Sequence, residues 1–408
     1  MTPRSFLFLQ GVCSPFFPQL ADRLTADGHR VFKINFNCGD RAYWGRRPAS
    51  SFKQRLDLLP GFLEDACRAQ GVTDLVLFGD RRPVHIPAVL LARQSDIRIH
   101  VFEEGYFRPY WVTLERSGVN SHSLLPRDPD WYRTTGAALC DYGDGQPFSS
   151  SFNLRAGHDM LYHLASALNP LLFPGYRTHS PVPAPVEYAG YARRFARMPH
   201  YKQVDAATVE ALLTASAPFY LLPLQLNSDA QIKDHSPFAD MPAVMTFVMA
   251  SFTAHAPSDA RLVIKNHPLD MGLVDYPAII RTLETRFDLS GRVCYLESGD
   301  LEALTRKAVG VVTVNSTVGG LALGLGCPTI ALSDPIYNLA GLTFQGPLDL
   351  FWRECSPPDR ELYRCFRNVV IHATQINGGF YSTPGIELAV RNAIAPLTAR
   401  QSPLEELL

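Results

Sequence analysis

Apolar positions in this chain follow two rhythms that alternate from end to end. Short β-branched and aromatic runs read as strands buried on both faces, and longer stretches with apolar residues three and four apart read as helices. In the first half, residues 6–9 predict a strand, 15–26 a helix closed by Gly28, and 30–36 a second strand, together a βαβ unit. The loop Gln10-Gly11-Val12-Cys13-Ser14 lacks GxGxxG, so a dinucleotide site is not supported. Helices over 60–70 and 88–93 and strands over 74–78 and 97–102 continue the alternation. Residues 113–130 read as a long polar loop, and 161–173 is an apolar stretch broken by Pro174 and Gly175. It predicts a helix docked on the core or touching lipid, its short length favouring the core.

The proline-rich residues 181–185 predict a linker, after which the pattern restarts. Strands are expected over 218–224, 261–265, 293–296, 309–314 and 329–332, and helices over 241–254, 321–325 and 362–374. A final helix, 386–395, is placed to pack back across the first domain. Strands alternating with helices twice over predict two parallel α/β domains. The expected division is 1–180, a linker region 181–215, 216–375, and a C-terminal segment 376–408.

Bulk composition narrows the functional classes. At 408 residues the chain exceeds one ordinary core, which agrees with two domains. A formal net charge of −1 argues against a broad nucleic-acid footprint. The eight cysteines are scattered without a CxxC pair, so reduced thiols in a cytoplasmic protein are expected and a zinc site is not. Residues 6–9 are too short and too soon interrupted by Gln10 for a signal peptide, and Val12 before Cys13 does not make a lipoprotein box. Apolar runs fall short of the ~18–20 residues that span a bilayer, so membrane contact is expected to be peripheral.

The polar chemistry gathers where strands end. The strand 262–265 runs into Lys265-Asn266-His267-Pro268-Leu269-Asp270, at the edge where open α/β sheets bind ligands. Imidazole, ammonium and amide together could hold a phosphate; the plainer reading is a strand end with a satisfied histidine and a turn proline. Glu103-Glu104-Gly105 closes another strand, as an acid–base pair whose mutual repulsion keeps one proton, or as a surface turn countered by Arg108. Asn315-Ser316-Thr317-Val318-Gly319-Gly320 describes a helix N-terminus that either binds an anion or is a plain cap. Gln225 opens a polar loop, 225–231, after the strand 218–224, and His235-Ser236-Pro237 follows it. Asn35-Phe36-Asn37 precedes Arg46-Arg47, either an acceptor loop beside exposed aromatics or a solvated basic surface. Arg81-Arg82-Pro83 sits at a predicted helix start suited to an anion.

These clusters resemble a known pattern. Glu103-Glu104-Gly105, His267-Pro268 and Ser316-Thr317 look like the motifs of bacterial GT-B transferases that use CMP-activated acidic sugars. Asn35-Phe36-Asn37, residues 102–109, Gly118-Val119-Asn120, and residues 124–129, 265–270 and 341–351 resemble the KpsS-type capsular polysaccharide β-Kdo transferases, also described as capsule export proteins. The resemblance covers nearly the whole chain. It implies an α/β GT-B fold, two Rossmann-like domains facing a central cleft, with the acceptor on the first and the CMP-sugar on the second.

It implies, further, a cytoplasmic enzyme held peripherally at the inner membrane that moves Kdo from CMP-β-Kdo to a phosphatidylglycerol-type lipid, or to Kdo already on it. His267, with Lys265, Asn266, Pro268, Asn315, Ser316, Thr317 and Gln225, would hold the donor, and no metal or other cofactor is then required. Glu104 would be the reactive carboxylate, with Glu103 in reserve, in a retaining double displacement; a single displacement with Glu104 as base would invert. Asn37, Arg46, Arg47, Arg81, Arg82 and Arg108 are the expected acceptor-binding residues. The partners expected are CMP-Kdo, anionic phospholipid, the inner-membrane surface and other capsule-assembly proteins, with no nucleic acid. Two competing readings are a non-catalytic export component and a GT-B-like sugar-nucleotide epimerase.

Overall fold

A computed structural model of the chain describes residues 3–178, 182–227, 232 and 236–408. In chain order its strands are β1 (Ser5–Phe8), β2 (Arg30–Asn35), β3 (Ser50–Ser51), β4 (Asp74–Phe78), β5 (Arg98–Glu104), β6 (Trp111–Arg116), β7 (Phe219–Pro223), β8 (Arg261–Lys265), β9 (Val293–Leu296), β10 (Gly310–Thr313), β11 (Thr329–Ala331) and β12 (Gln375–Asn377). The chain divides into two compact units. One holds residues 1–126, 138–179 and 367–408; the other holds 127–137 and 180–366.

The first unit is built on a seven-stranded sheet in the order β12-β6-β5-β4-β1-β2-β3. From β3 to β5 neighbouring strands are parallel, and β6 and β12 extend the sheet antiparallel. Strands β1 and β4 are buried along their whole length, as the unbroken apolar runs 6–9 and 75–78 require. One face packs Phe8, Val76 and Phe102 against helices Phe16–Ala26 and Thr383–Thr398; the other packs Leu7, Leu77 and Val101 against helices Leu59–Gln70 and Ile86–Gln94.

The second unit carries a five-stranded, wholly parallel sheet in the order β11-β10-β7-β8-β9. Numbered from their own first strand, the five parallel strands of each unit run 3-2-1-4-5, the order of a Rossmann fold. The strand order therefore reverses between β1 and β4 in one unit and between β7 and β10 in the other. Helix Met241–His255 buries Val244, Met245, Val248 and Phe252 against Tyr220, Leu262 and Trp352, which form the heart of this core.

Two expectations are corrected. Of the stretch 113–130 expected as loop, residues 113–116 belong to strand β6, paired with β5 so that Glu103 faces Thr113 and Glu104 faces Val112. The polar residues Thr113, Glu115 and Arg116 hide the strand pattern, and all three are buried. The linker expected over 181–215 contains helix Ala184–Thr214, with Pro199 inside it. Helices Tyr276–Phe287 and Leu301–Lys307, not anticipated, fill the crossovers on either side of β9. Residues 179–181, 228–231 and 233–235 lie outside those described, and with them Pro181, much of the expected loop after Gln225, and His235. No helix among the described residues is long and apolar enough to cross a membrane.

Candidate functional site

At the carboxyl edge of the second sheet, β8 ends in a turn held together by its own polar groups. Asn266 donates its amide N–H to Glu297 at 2.9 Å and accepts the His267 backbone N–H at 2.8 Å. The His267 Nδ1 accepts the Leu269 backbone N–H at 3.1 Å, which places the neutral ring's proton on Nε2. Arg194, buried on helix Ala184–Thr214, donates to the carbonyls of His267, Pro268 and Asp270 at 3.0, 3.2 and 2.7 Å and pairs with Glu297 at 3.0 Å. Pro268 itself is exposed. Lys265, buried beneath the turn, lies 3.4 Å from the Asn266 carbonyl; burial, and then the Arg194 charge, lower its pKa. A lysine held this way gains most from an anion nearby.

Across the reversal point, Gln225 after β7 and Asn315 after β10 grip each other. The Gln225 amide donates to Asn315 Oδ1 at 2.9 Å and accepts the Asn315 backbone N–H at 3.3 Å. Ser316 caps helix Thr317–Gly324 by accepting the Val318 N–H at 3.2 Å, and Thr317 is exposed at its first position. Tyr337 donates to the Ser316 carbonyl at 2.6 Å, and its phenol occupies the space a Cβ on Gly319 would need. Only glycine lets that phenol reach the cap. The turn of β8 and this helix N-terminus flank β7 at the edge where such sheets take ligands, one offering imidazole and ammonium, the other oriented N–H groups.

The first unit's carboxyl edge holds the acids. Because side chains alternate along a strand, Glu103 and Glu104 point to opposite faces of β5. They are not the mutually repelling pair that adjacency suggested. Glu103 Oε1 accepts the Glu104 backbone N–H at 3.0 Å. Glu104 Oε1 lies 3.4 Å from the Arg155 guanidinium and 3.4 Å from the Tyr381 hydroxyl, and Arg155 stacks 4.8 Å over the Tyr381 ring. Gly105 is required because its Cβ would collide with the Trp111 carbonyl where β5 turns into β6.

Residues 73–381 match the family described as "Capsule polysaccharide biosynthesis protein". The chain belongs to that family. The capsule polysaccharide modification protein LipB of Neisseria meningitidis serogroup B is 34% identical over 384 residues, covering 93% of this chain and 92% of LipB. The capsule polysaccharide export protein KpsS of Escherichia coli is 35% identical over 382 residues, 93% of this chain and 98% of KpsS. Among solved structures, the beta Kdo 2,7 transferase KpsC of Thermosulfurimonas dismutans aligns at a TM-score of 0.45 and 14% identity, covering 96% of this chain and 99% of that one.

In this capsule-family chain, of the six residues expected to bind an acceptor three are engaged within the protein and three are exposed. Asn37 is fully buried: its Oδ1 caps helix Cys38–Trp44 through the Asp40 N–H at 2.8 Å, and its amide donates to Tyr162 at 2.7 Å. Tyr162 also takes the Gln10 amide at 3.0 Å, so this cluster orders the strand ends. Arg47 is a fork on Asp22, with Nε–Oδ1 at 2.6 Å, and Trp44 beside it is buried rather than exposed. Arg82 donates to the Gly11 carbonyl at 3.0 Å and stacks 5.3 Å over Phe78. Arg46, Arg81 and Arg108 are exposed.

Arg194, Arg155, Tyr381 and Tyr337 are the residues that sequence reading missed. Each reaches a motif from far along the chain, which leaves no local signal. A further pair also escaped notice. Asp80, buried after β4, accepts His122 Nδ1 at 2.9 Å in the first unit.

Proposed function

We propose that this chain is a glycosyltransferase that moves Kdo from CMP-β-Kdo to a phosphatidylglycerol-type lipid, or to Kdo on that lipid, with retention. The observation that carries the reading is the pairing, in one parallel sheet, of the Lys265–His267 turn with the Ser316-capped helix on either side of β7. Together they bring an imidazole, a buried ammonium and a helix N-terminus to the edge where a nucleotide phosphate would sit. Preorganised donors of this kind stabilise a departing phosphate without a metal. Arg194 acts by positioning, since it holds the three carbonyls of the turn.

Glu104 is the reacting carboxylate in this reading. In the first displacement a Glu104 oxygen bonds to C2 of Kdo while the C2–O bond to CMP breaks, the electron pair leaving with the phosphate. In the second, the acceptor hydroxyl gives its proton to a base, attacks C2 and releases the carboxylate. Arg155 and Tyr381, both on Oε1, fix the carboxylate's orientation. The enzyme would work at the inner-membrane surface, where its lipid acceptor lies.

The test mixes the purified protein with CMP-Kdo generated in place and a fluorescent phosphatidylglycerol, alongside Glu104→Ala and His267→Ala. A product heavier by one Kdo with a β linkage, lost in the first variant and reduced by roughly two to three orders of magnitude in the second, is expected. CMP binding without product on any anionic lipid would remove the acceptor assignment. Absence of both would leave a non-catalytic capsule component.

A further inference from the structure

Helix Phe152–Ser166 is built inside out. Arg155, His158 and Tyr162, at helical spacing, form its inward side: Arg155 reaches Glu104, His158 Nδ1 lies 2.8 Å from the Tyr43 hydroxyl, and Tyr162 is buried against Asn37 and Gln10. The outward side carries Leu154, Met160, Leu161 and Leu164, all exposed, Leu164 at 74%. The short helix Asn169–Leu172 that follows continues the face with Leu168 and with Leu171 at 80%. Isolated exposed leucines are ordinary. A polar side turned to the protein and an apolar side turned outward, over successive turns, marks an interaction surface.

The surroundings select its occupant. Helix Cys38–Trp44 packs against this helix through Tyr43 and through Gly39, whose missing Cβ admits the Tyr162 ring, and it carries exposed Arg41. Residues 53–54 pack against Gly175, whose N–H donates to the Lys53 carbonyl at 3.2 Å. Exposed Lys53 and Arg55 therefore lie on the adjoining stretch, with exposed Leu56 and Leu58 after them; of these cations Arg55 is countered by Asp57 at 3.2 Å. Leucine-rich helix faces rimmed by cations fit the boundary between acyl chains and anionic headgroups. Both helices are too short to span a bilayer.

We propose that helices Phe152–Ser166 and Asn169–Leu172 form a docking surface for an anionic phospholipid bilayer, lying in the membrane plane with the leucines inserted and the cations on the headgroups. Arg155 sits on the opposite side of the same helix from these leucines, 3.4 Å from Glu104. Seating the helix on a membrane thus seats a partner of the carboxylate. Only that last coupling rests on the transferase reading.

Vesicle co-sedimentation of the full chain tests the surface, using phosphatidylcholine alone and with phosphatidylserine, so that no phosphatidylglycerol acceptor is present. Binding is expected to require the anionic lipid. It should weaken at least tenfold in a Leu161→Ser, Leu164→Ser, Leu171→Ser variant with an unchanged unfolding temperature, and Arg41→Glu with Lys53→Glu should abolish the anionic preference. Slowed amide exchange over 152–172 in the wild-type protein on vesicles is the second readout, independent of any variant. The proposal is overturned by wild-type protein that ignores anionic vesicles, by a leucine variant that binds undiminished, or by a wild-type dimer that this variant dissociates. Absence of transferase product with vesicle binding intact would remove the proposed function and leave the docking surface standing.

Discussion

Arg194 donates to the Asp270 carbonyl at 2.7 Å and so closes the turn that begins at His267. The same guanidinium bonds two further carbonyls of the turn and the Glu297 carboxylate, which also holds Asn266. One buried cation therefore connects helix Ala184–Thr214 to the ends of β8 and β9. Asp270 adds its own clasp, Oδ1 accepting the Gly272 N–H at 2.7 Å, and burial raises the pKa of its carboxyl.

Replacing Arg194 with methionine keeps the apolar stem and strands the carbonyls and Glu297. Breaking a buried, hydrogen-bonded charge costs about 3 kcal/mol, and for a unit of this size each kcal/mol lowers Tm by about 2–4 °C. The variant should melt some 6–12 °C lower by that estimate, in a thermal scan followed by circular dichroism. Its CMP affinity should fall about tenfold by calorimetry, as the His267 ring loses its fixed backbone.

Glu104 and Glu103 occupy opposite faces of β5, so their variants should separate sharply. Glu104→Gln keeps shape and loses the proposed nucleophile; a single-turnover assay should show a loss of at least about a thousandfold. Glu103→Gln keeps the hydrogen bond to the Glu104 N–H and should lose less than about tenfold. Arg155→Lys, which cannot stack as a plane on Tyr381, should fall between them through kcat rather than KM. Equal losses in the two glutamate variants would overturn the assignment of roles.

The alternation of strands and helices was readable because both sheets bury their strands on two faces. The unbroken run Leu75–Phe78 suits a strand enclosed on both faces, and β4 is buried along its whole length. Strand β6 was not readable: Thr113, Glu115 and Arg116 look like loop, and each is buried with a partner outside the strand, as Gln375 is for Thr113 at 3.0 Å. The motif residues Lys265, His267 and Ser316 were legible from local order, at strand ends. Their supports Arg194 and Tyr337 were not, since a buried arginine inside a long helical stretch and a tyrosine after Pro335 carry no mark of what they touch. Local sequence places an element; only the fold names its partners.

Gly319 tests the cap. Its Cβ would meet the Tyr337 phenol, so Gly319→Ala must push Tyr337 away from the Ser316 carbonyl. Overpacking costs about 1–3 kcal/mol even though alanine favours the helix. The expected result is a weaker CMP complex in a protein whose Tm drops by a few degrees. Gly320→Ala, one position on with open space beside it, should be neutral or slightly stabilising in the same assays.

Glu115 gives stability a pH dependence of its own. It is buried on β6, accepts the Tyr106 hydroxyl at 2.7 Å and the Ser123 hydroxyl, and burial pushes its pKa up to about 7 although both hydrogen bonds pull the other way. Asp80 adds a smaller upward push. In the unfolded chain a glutamate titrates near pH 4.3. Between these values the folded protein holds a proton that the unfolded chain has released, so stability falls as pH rises from about 4.5 to 7 and levels off above. The integrated loss is on the order of 3 kcal/mol. Glu115→Gln has no charge to desolvate. Its unfolding free energy relative to wild type should therefore rise between pH 5 and 8, by up to that amount, when both are followed in urea. A difference that stays flat over this range would mean that Glu115 folds already ionised.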